Sequence, residues 1–366
     1  MRVALVYDRV NKWGGAERVL LSLHEIFPKA PLYTSVYSPK KADWAKVFPK
    51  VIPSFLQKVP ILNNHHELLG SLVPIAFETF DFSEYDLVIS VTSEAAKGII
   101  TAPQTRHICY CLTPTRYLWS GHEYYKNSPP KKLRSIPLFN FVSRPFFGYT
   151  KSWDLIASKR PDEMIAISEE VKKRIKKHYK RNSKVIYPPV NIELFMDGKK
   201  YKRKDYYLMV TRLVPYKRVD LAIDAFNKLR LPLVIIGVGS EMGKLKKMSS
   251  DNISFKGFVD DNALVRYYKE AKAFIHTQDE DFGIAAVEAQ AAGVPVIAYK
   301  KGGAKETVID GKTGIFFERQ TVSSLVDALN RFDRMNFRTI NLVNNAKRFS
   351  KDRFKEEFKQ LIGNGK

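Results

Sequence analysis

Residues 279–308 constrain the fold of this chain more than any other segment. A polar loop opens the segment, and apolar residues then recur at helical spacing at Ile284, Val287 and Ala291. Gly293 is typical of a helix end, and the apolar run after it is typical of a buried strand. A Gly-Gly pair then opens another helix. Loop, helix, strand and helix in this order indicate an α/β domain with a parallel sheet.

Two glutamates in this segment, Glu280 and Glu288, are separated by seven residues, the first in the loop and the second inside the helix. Carboxylates in such places can bind the hydroxyl groups of a sugar and of a ribose. At Phe282-Gly283 the backbone can come close to a ligand. The free N–H groups and the positive dipole end of the helix that begins there favour a phosphate. The combination suits a sugar nucleotide.

Two cations, Arg212 and Lys217, follow an apolar run that predicts a strand over 206–211. A guanidinium binds diphosphate oxygens in a fork, and an ammonium adds a compact charge, so the pair could neutralise a departing nucleoside diphosphate. A solvated basic loop would have the same composition. Placement at the carboxyl end of a strand, together with the two glutamates, favours the diphosphate site.

Strands and helices alternate along the whole chain, which predicts two doubly wound α/β domains in sequence. The prolines at 188 and 189 interrupt regular structure, so we expect a first domain over 1–188 and a second beginning at 189. The predicted core strands are 3–7, 86–90, 107–112 and 164–168 in the first domain, and 206–211, 232–237, 253–255, 273–277 and 295–299 in the second.

The chain of 366 residues carries a formal net charge of +23, which attracts polyanions such as nucleic acid, anionic lipid or phosphorylated metabolites. No apolar run approaches the ~18 residues needed to cross a bilayer. The N-terminus has the pattern of a buried strand and not of a signal peptide. Only two cysteines are present, Cys109 and Cys111, which excludes a disulfide framework. We therefore expect a cytoplasmic protein, soluble or peripherally attached to a membrane.

Three features allow both a structural and a functional interpretation. Gly14-Gly15 before a helix is either an ordinary turn or a close approach to phosphate or sugar. The acidic triplet 279–281 could bind a divalent metal, but Arg212 and Lys217 already offer charge compensation, so we expect no metal and no cofactor. His107, Cys109 and Cys111 share one face of a strand, and small buried core residues explain them better than zinc.

An aromatic and basic stretch covers residues 115–153, with ten aromatic residues and seven Lys or Arg against one Glu. Most of it suits a helical core face with solvated lysines. The alternative is an interfacial surface, on which aromatic side chains lie at the lipid headgroups and cations meet anionic lipid. A basic helix follows, with only Val171, Ile175 and Tyr179 facing inward. We find no nucleic-acid-binding motif.

With these motifs the chain resembles the family-4 retaining glycosyltransferases of GT-B architecture, and most closely their bacterial branch of O-antigen or core mannosyltransferases. The resemblance extends along nearly the whole sequence, over residues 14–19, 107–119, 185–195, 211–218 and 280–308. It implies two Rossmann-like domains facing across a cleft, the second over 189–348. It also implies that residues 349–366 form a helix that returns to the first domain.

The resemblance also implies roles for single residues. Glu280 would bind the hydroxyls of the donor sugar, Glu288 the ribose, and Arg212 with Lys217 the diphosphate, capped by the backbone at Phe282, Gly283 and Ile284. Val259 would flank the base, and Gly14, Gly15, Leu112 and Arg116 would belong to the donor or acceptor pocket. The branch carries His where this chain has Leu112, and often where it has Glu94.

From the sequence we therefore predict a metal-independent retaining glycosyltransferase. It would transfer a hexose, first of all mannose from GDP-mannose, to a lipid-linked saccharide for lipopolysaccharide or another surface polysaccharide. The protein would act at the inner face of the cytoplasmic membrane. A UDP- or GDP-linked 6-deoxy or N-acetylated sugar is the alternative donor. An epimerase, a glycosidase, and a non-catalytic protein that binds nucleotide sugar or polyanion are the rival functions.

Overall fold

A computed structural model describes residues 1–58, 72–120, 139–196, 198 and 201–363 of the chain, and the side chains of helical residues 139–146 are outside the description. The chain divides into two compact units. We call them the first domain (Met1–Tyr187 together with the residues from Glu357 onward) and the second domain (Pro188–Glu356).

The first domain contains a parallel seven-stranded sheet. Its strands are β1 (Val3–Tyr7), β2 (Leu32–Thr34), β3 (Val51–Pro53), β4 (Leu87–Thr92), β5 (Arg106–Cys111), β6 (Glu163–Ala166) and β7 (Lys184–Val185). Its helices are α1 (Gly15–Ile26), α2 (Val73–Glu78), α3 (Phe139–Ala157) and α4 (Glu169–Tyr179), with short 3-10 turns at Asp43–Val47, Phe55–Lys58 and Ala96–Gly98. The strand order is β3-β2-β1-β4-β5-β6-β7.

The centre of this sheet is buried on both faces, as expected for parallel strands covered by helices. Every residue of β1 and β4 is buried. One side packs on a cluster that includes Phe77, Phe82 and Trp153. Helix α4 buries Val171, Ile175 and Tyr179, as its sequence predicts. Ser168 caps this helix, because its side chain accepts a hydrogen bond from the Val171 amide.

The second domain contains a parallel six-stranded sheet. Its strands are β8 (Tyr207–Val210), β9 (Leu233–Ile236), β10 (Ile253–Gly257), β11 (Ala273–His276), β12 (Val296–Tyr299) and β13 (Gly314–Phe317). Its helices are α5 (Val219–Leu229), α6 (Met242–Met248), α7 (Asp261–Glu270), α8 (Ile284–Ala291), α9 (Ala304–Thr307), α10 (Val322–Phe332) and α11 (Thr339–Lys347), with 3-10 turns at Glu193–Phe195 and Pro215–Lys217.

The strand order of the second sheet, β10-β9-β8-β11-β12-β13, reverses direction between β8 and β11. Ligands of doubly wound sheets bind outside the carboxyl ends of the strands at such a reversal. The first sheet has the same reversal between β1 and β4. Ligands are therefore expected at the loops after β8 and β11 in the second domain, and after β1 and β4 in the first.

The last helix, α12 (Lys351–Gly363), runs from the second domain into the first, since residues from Glu357 onward group with the first domain. There Phe358 contacts Tyr110, with 6.2 Å between ring centroids, and Arg106 donates hydrogen bonds to the carbonyls of Leu361 and Ile362. The structural division after Tyr187 falls one residue before the boundary predicted at 188. Among the described helices, none combines the length and apolar character needed to span a bilayer.

Candidate functional site

The loops after β8 and β11 bring two of the predicted site residues together. Lys217 and Glu280 form an ion pair between Nζ and Oε1. The Lys217 side chain is 11% exposed and that of Glu280 is 19% exposed, so the pair lies in a recess that still reaches solvent. A cation for phosphate and a carboxylate for hydroxyls therefore lie side by side at the reversal point of the sheet.

Local contacts fix the backbone of Lys217. The residue ends the 3-10 turn Pro215–Lys217, and Arg218 follows in the left-handed conformation with φ 52°. The buried hydroxyl of Thr277, just after β11, donates to the Lys217 carbonyl at 2.9 Å. This hydrogen bond ties the loop after β8 to the end of β11.

Arg212 lies on the same loop and is exposed. Its guanidinium donates to the hydroxyl of Tyr216 at 2.7 Å, and the Lys217 ammonium lies 5.4 Å from the centroid of the Tyr216 ring. Tyr216 thus contacts both cations of the predicted diphosphate site. Gly237 and Gly239 after β9 support the loop, because a Cβ there would meet the carbonyl oxygens of Thr211 at 1.9 Å and Leu213 at 2.2 Å.

The loop that carries Glu280 packs backbone to backbone against Gly302 and Gly303. The amide of Gly303 donates to the carbonyl of Glu280 at 2.7 Å. A Cβ on Gly302, which has φ +62°, would lie 2.3 Å from that same carbonyl oxygen, and a Cβ on Gly303 would lie 2.4 Å from the Cα of Phe282. The Gly-Gly pair is therefore required for the position of the Glu280 loop, in addition to opening helix α9.

Helix α8 begins immediately after Gly283, which adopts φ +95°. No side chain caps this helix start, and the first N–H groups of a helix have no acceptor within the helix. The side chain of Phe282 is buried against Phe349, with 5.3 Å between ring centroids, so only its backbone is placed to meet a ligand. Ile284 is half-buried, and from Ala286 onward every residue of the helix is buried, which makes α8 a core helix with one open end.

Glu288, the second glutamate of the motif, is 3% exposed. Its carboxylate accepts a hydrogen bond from the hydroxyl of Tyr268 at 3.1 Å. The sequence predicts its place inside the helix, and the structure shows it buried there with Tyr268 as its neighbour. Its role toward ribose stays a prediction.

Beyond β10, the predicted base-flanking residue Val259 is half-buried, whereas its neighbour Phe258 is 82% exposed. Val238, after β9, is also exposed. These apolar side chains follow neighbouring strands at the carboxyl edge, which is suitable for a flat apolar ligand such as a nucleobase. The family resemblance assigns Val259 to the base and gives Phe258 no role.

In the first domain, Asp8 after β1 organises the loop after β4. Its buried carboxylate accepts hydrogen bonds from the hydroxyl of Thr92 and from the four backbone amides of residues 93–96, at distances between 2.7 and 3.1 Å. This loop presents Glu94, which pairs with Arg9. Burial raises the pKa of Glu94, and the charge of Arg9 opposes the rise.

The other predicted residues of the first domain lie at the same edge. Gly14 precedes α1, and a Cβ there would meet Glu17 Oε2 at 3.2 Å. Gly15 is exposed, and Leu112 and Arg116 after β5 are half-buried. The amide of Leu112 donates to the carbonyl of Thr92 at 2.8 Å, which joins the loops after β4 and β5. Their assignment to a substrate pocket stays a prediction.

The alternation of His107, Cys109 and Cys111 on β5 is explained by core packing. His107 is buried and hydrogen-bonded through Nε2 to Ser90 Oγ at 2.8 Å, and Cys109 and Cys111 are buried and unbridged. Within the described ranges no group of three His, Cys, Asp or Glu side chains is placed to hold a metal ion. Asp279 of the acidic triplet pairs with Lys301 at 3.3 Å. Metal independence of the reaction stays a prediction.

The aromatic and basic stretch is described only in part, because residues 121–138 lie outside the described residues. Within the rest, Trp153 is buried, whereas Tyr149 and Ile156 of α3 are 50% and 58% exposed. Lys173, Lys176 and Lys177 of α4 are exposed. The core interpretation thus holds for Trp153, and exposed apolar and basic side chains remain on both helices.

Part of this chain is similar in sequence to known glycosyltransferases. Residues 191–350 match the family model of glycosyl transferases group 1. The chain is 29% identical over 213 residues to an uncharacterized glycosyltransferase of Methanocaldococcus jannaschii, covering 57% of this chain and 58% of that one. It is 35% identical over 138 residues to the GDP-mannose-dependent alpha-(1-6)-phosphatidylinositol monomannoside mannosyltransferase of Mycobacterium tuberculosis, covering 33% of this chain and 36% of that one.

The chain thus spans less than two thirds of the length of these relatives. Among solved structures, Anabaena HepE in complex with UDP has a TM-score of 0.72 at 18% identity, with 100% of both chains covered. The predicted fold class, two doubly wound α/β domains of the GT-B type, is confirmed. In its second domain the chain matches the sequence model of group 1 glycosyl transferases, and its fold is similar to that of HepE.

Proposed function

We propose that this chain is a retaining glycosyltransferase that moves a hexose from a nucleoside-diphosphate sugar to a lipid-linked saccharide, without a metal ion. The observation that carries the proposal is the pairing of Lys217 with Glu280 beside the open start of helix α8. A nucleoside-diphosphate sugar presents a doubly charged diphosphate next to a polyhydroxylated ring. The site offers a matching cation, carboxylate and helix end within one recess.

The charge of the site suits departure of a diphosphate. As the bond between sugar carbon 1 and the diphosphate oxygen breaks, negative charge grows on the leaving group. Arg212, Lys217 and the N–H groups at Gly283 and Ile284 stabilise that charge. The acceptor hydroxyl attacks carbon 1 from the same face, forms the new glycosidic bond, and passes its proton to the departing diphosphate. Glu280 binds the sugar hydroxyls throughout.

The donor that we place first is GDP-mannose. The mycobacterial relative, which is 35% identical over a third of this chain, is GDP-mannose-dependent and acts on a phosphatidylinositol mannoside. The same relative supports a lipid-linked acceptor. HepE was solved with UDP, so the panel of donors in the test includes UDP-linked sugars.

The direct experiment incubates the purified chain with a panel of GDP- and UDP-linked sugars and a bacterial membrane extract as acceptor. We expect transfer of one sugar to lipid, undiminished by excess chelator. Conversion of the donor without an acceptor would indicate an epimerase, and nucleotide binding without turnover would indicate a non-catalytic binding protein. Activity lost in chelator and restored by magnesium or manganese would refute metal independence.

A 6-deoxy sugar is an alternative donor. The branch that the sequence resembles carries His where this chain has Leu112, and the resemblance implies that this position meets the hydroxyl on carbon 6 of the donor sugar. A hydroxyl on carbon 6 left unpaired against an apolar side chain costs on the order of 1–3 kcal/mol. A methyl group there would instead gain about 0.8 kcal/mol per buried carbon. Turnover of GDP-mannose and of a 6-deoxy donor by wild type and Leu112→His decides between them. A strong wild-type preference for the 6-hydroxylated donor that Leu112→His leaves unchanged would dispose of this alternative.

We also propose that the first domain binds anionic membrane at the inner face of the cytoplasmic membrane. The exposed lysines of α4 and the exposed Tyr149 and Ile156 of α3 support this. The triple variant Lys173→Ser, Lys176→Ser, Lys177→Ser should bind vesicles of anionic lipid more weakly, and salt should weaken wild-type binding.

The control for membrane binding removes the same charge from the exposed lysines of helix α6 in the second domain, Lys244, Lys246 and Lys247. This variant should bind the vesicles as wild type does. Equal binding of wild type to neutral and anionic vesicles would contradict the electrostatic part of the proposal, and nucleic acid would then be the partner to test.

A further inference from the structure

His276, the last residue of β11, lies beneath the Glu280 loop and is fully buried. A Cβ built on Gly283 would meet the ring at 3.3 Å from Cε1 and 3.7 Å from Nε2. The second carboxylate oxygen of Glu280, Oε2, lies 3.9 Å from Nε2. The ring is therefore directed at Glu280 and at the start of helix α8.

The proton of this imidazole can be placed from its neighbours. Burial, and secondly the charge of Lys217, lower the pKa of His276 to about 3, so the ring is neutral at pH 7. As the structure orients the Gln278 amide, its nitrogen lies 3.3 Å from Nδ1. In this orientation the amide donates, Nδ1 accepts and the ring proton is on Nε2. Within the described part of the chain this buried Nε2 has no hydrogen-bond partner.

A buried N–H without a partner is unfavourable in a finished fold, and a functional role is one explanation for such a group. Here Glu280 Oε2 is an acceptor that lies about 1 Å beyond hydrogen-bonding distance. The other side of that carboxylate is held by Lys217. Lys217 also has to meet the diphosphate, and turning toward it would release Glu280.

We propose that His276 is a positioning residue for Glu280: its Nε2–H donates to Oε2 when the donor diphosphate draws Lys217 away, and so holds the carboxylate toward the sugar hydroxyls. This inference rests on the proposed function. A neutral hydrogen-bond donor suits this role, because it orients the carboxylate without adding a second positive charge that would compete with Lys217. Thr277 and Gln278, which follow His276, keep the Lys217 carbonyl and the ring in place.

The test compares His276→Phe, which fills the space without a donor, with His276→Gln, whose amide reaches about as far as Nε2 and can donate. With the best donor of the panel, His276→Phe should lose up to about 100-fold in kcat/KM, the cost of a reacting geometry misplaced by about 1 Å. His276→Gln should restore most of it. The affinity for the free nucleoside diphosphate should change little in either variant, because Glu280 contacts the sugar.

Thermal unfolding separates positioning from packing. Since His276→Phe removes a buried N–H that has no partner, its midpoint should be equal to or above that of wild type. A lower midpoint with equal activity losses in both variants would show a packing role and overturn the inference. Wild-type kcat/KM in His276→Phe would also overturn it. Absence of turnover by wild type with every donor would instead overturn the proposed function, and this inference with it.

Discussion

The buried ion pair of the first domain gives the sharpest stability prediction. Lys97 and Asp154 are 2% and 1% exposed, and Nζ lies 2.5 Å from Oδ1. Asp154 also accepts hydrogen bonds from Thr115 Oγ1 at 2.8 Å and Trp119 Nε1 at 2.7 Å. The pair thus joins the turn after β4, the loop after β5 and helix α3.

The variant Lys97→Met removes the cation and leaves the Asp154 carboxylate buried with neutral donors only. At an effective dielectric constant of about 20, two charges 2.5 Å apart attract by roughly 7 kcal/mol, and much of this is offset by the desolvation of both ions. Breaking such a pair from one side costs about 3–5 kcal/mol. We expect a loss of this size in the free energy of unfolding.

Urea unfolding followed by tryptophan fluorescence reports on the unfolding of the first domain, because all four tryptophans belong to it. The double variant Lys97→Met/Asp154→Asn should be at least about 2 kcal/mol more stable than the sum of the single losses predicts, since it buries no charge. Lys172→Met, which breaks the exposed pair with Glu169, should cost under about 1 kcal/mol. Additive single losses, or a cost below about 1 kcal/mol for Lys97→Met, would refute the reasoning.

The remaining predictions concern Gly303 and His107. Gly303→Ala puts a Cβ 2.4 Å from the Cα of Phe282, so it should displace the Glu280 loop and lower kcat/KM by about 10- to 100-fold. The control is Gly243→Ala, because the space around a Cβ at Gly243 is open. Equal activities of the two variants would contradict the backbone packing. Burial, with two nearby arginines, lowers the pKa of His107 from 6.5 to about 3. As the pH falls below 6.5, the unfolded state therefore takes up a proton that the folded state does not, and the free energy of unfolding decreases. Between pH 7 and 5 wild type should therefore lose about 2 kcal/mol more than His107→Gln in urea unfolding, and parallel losses would contradict this.

Much of the fold follows from sequence periodicity. The predicted strand 3–7 coincides with β1, and the predicted core strands of the second domain agree with the observed strands to within two residues at each end. These strands are long and apolar enough to stand out. The two-residue β7 and the three-residue β2 are too short to produce a period, and they form because the neighbouring strand offers a hydrogen-bonding edge.

Some residues of the candidate site could likewise be predicted from the sequence, and others could not. Lys217 and Glu280 could be assigned to one site from the sequence because each follows a predicted strand. Their ion pair could not be predicted, because only the structure shows that β8 and β11 are neighbours. His276 could not be found, since a single histidine at the end of an apolar run has the pattern of a core residue. The contact of Tyr268 with Glu288 spans 20 residues and depends on helix packing, which local patterns do not encode.

The central claim is that Arg212 and Lys217 stabilise a departing diphosphate. Its most direct measurement is kcat/KM of the double variant Arg212→Ala/Lys217→Ala with the best nucleotide-sugar donor. A matched control, Lys228→Ala/Arg266→Ala, removes the same charge from two exposed helix positions. We expect each single site variant to lose roughly 10- to 1,000-fold in kcat/KM, and the double variant to lose more. The control should keep a kcat/KM near that of wild type, and all variants should be folded. Near-normal turnover by the folded double variant would contradict the account.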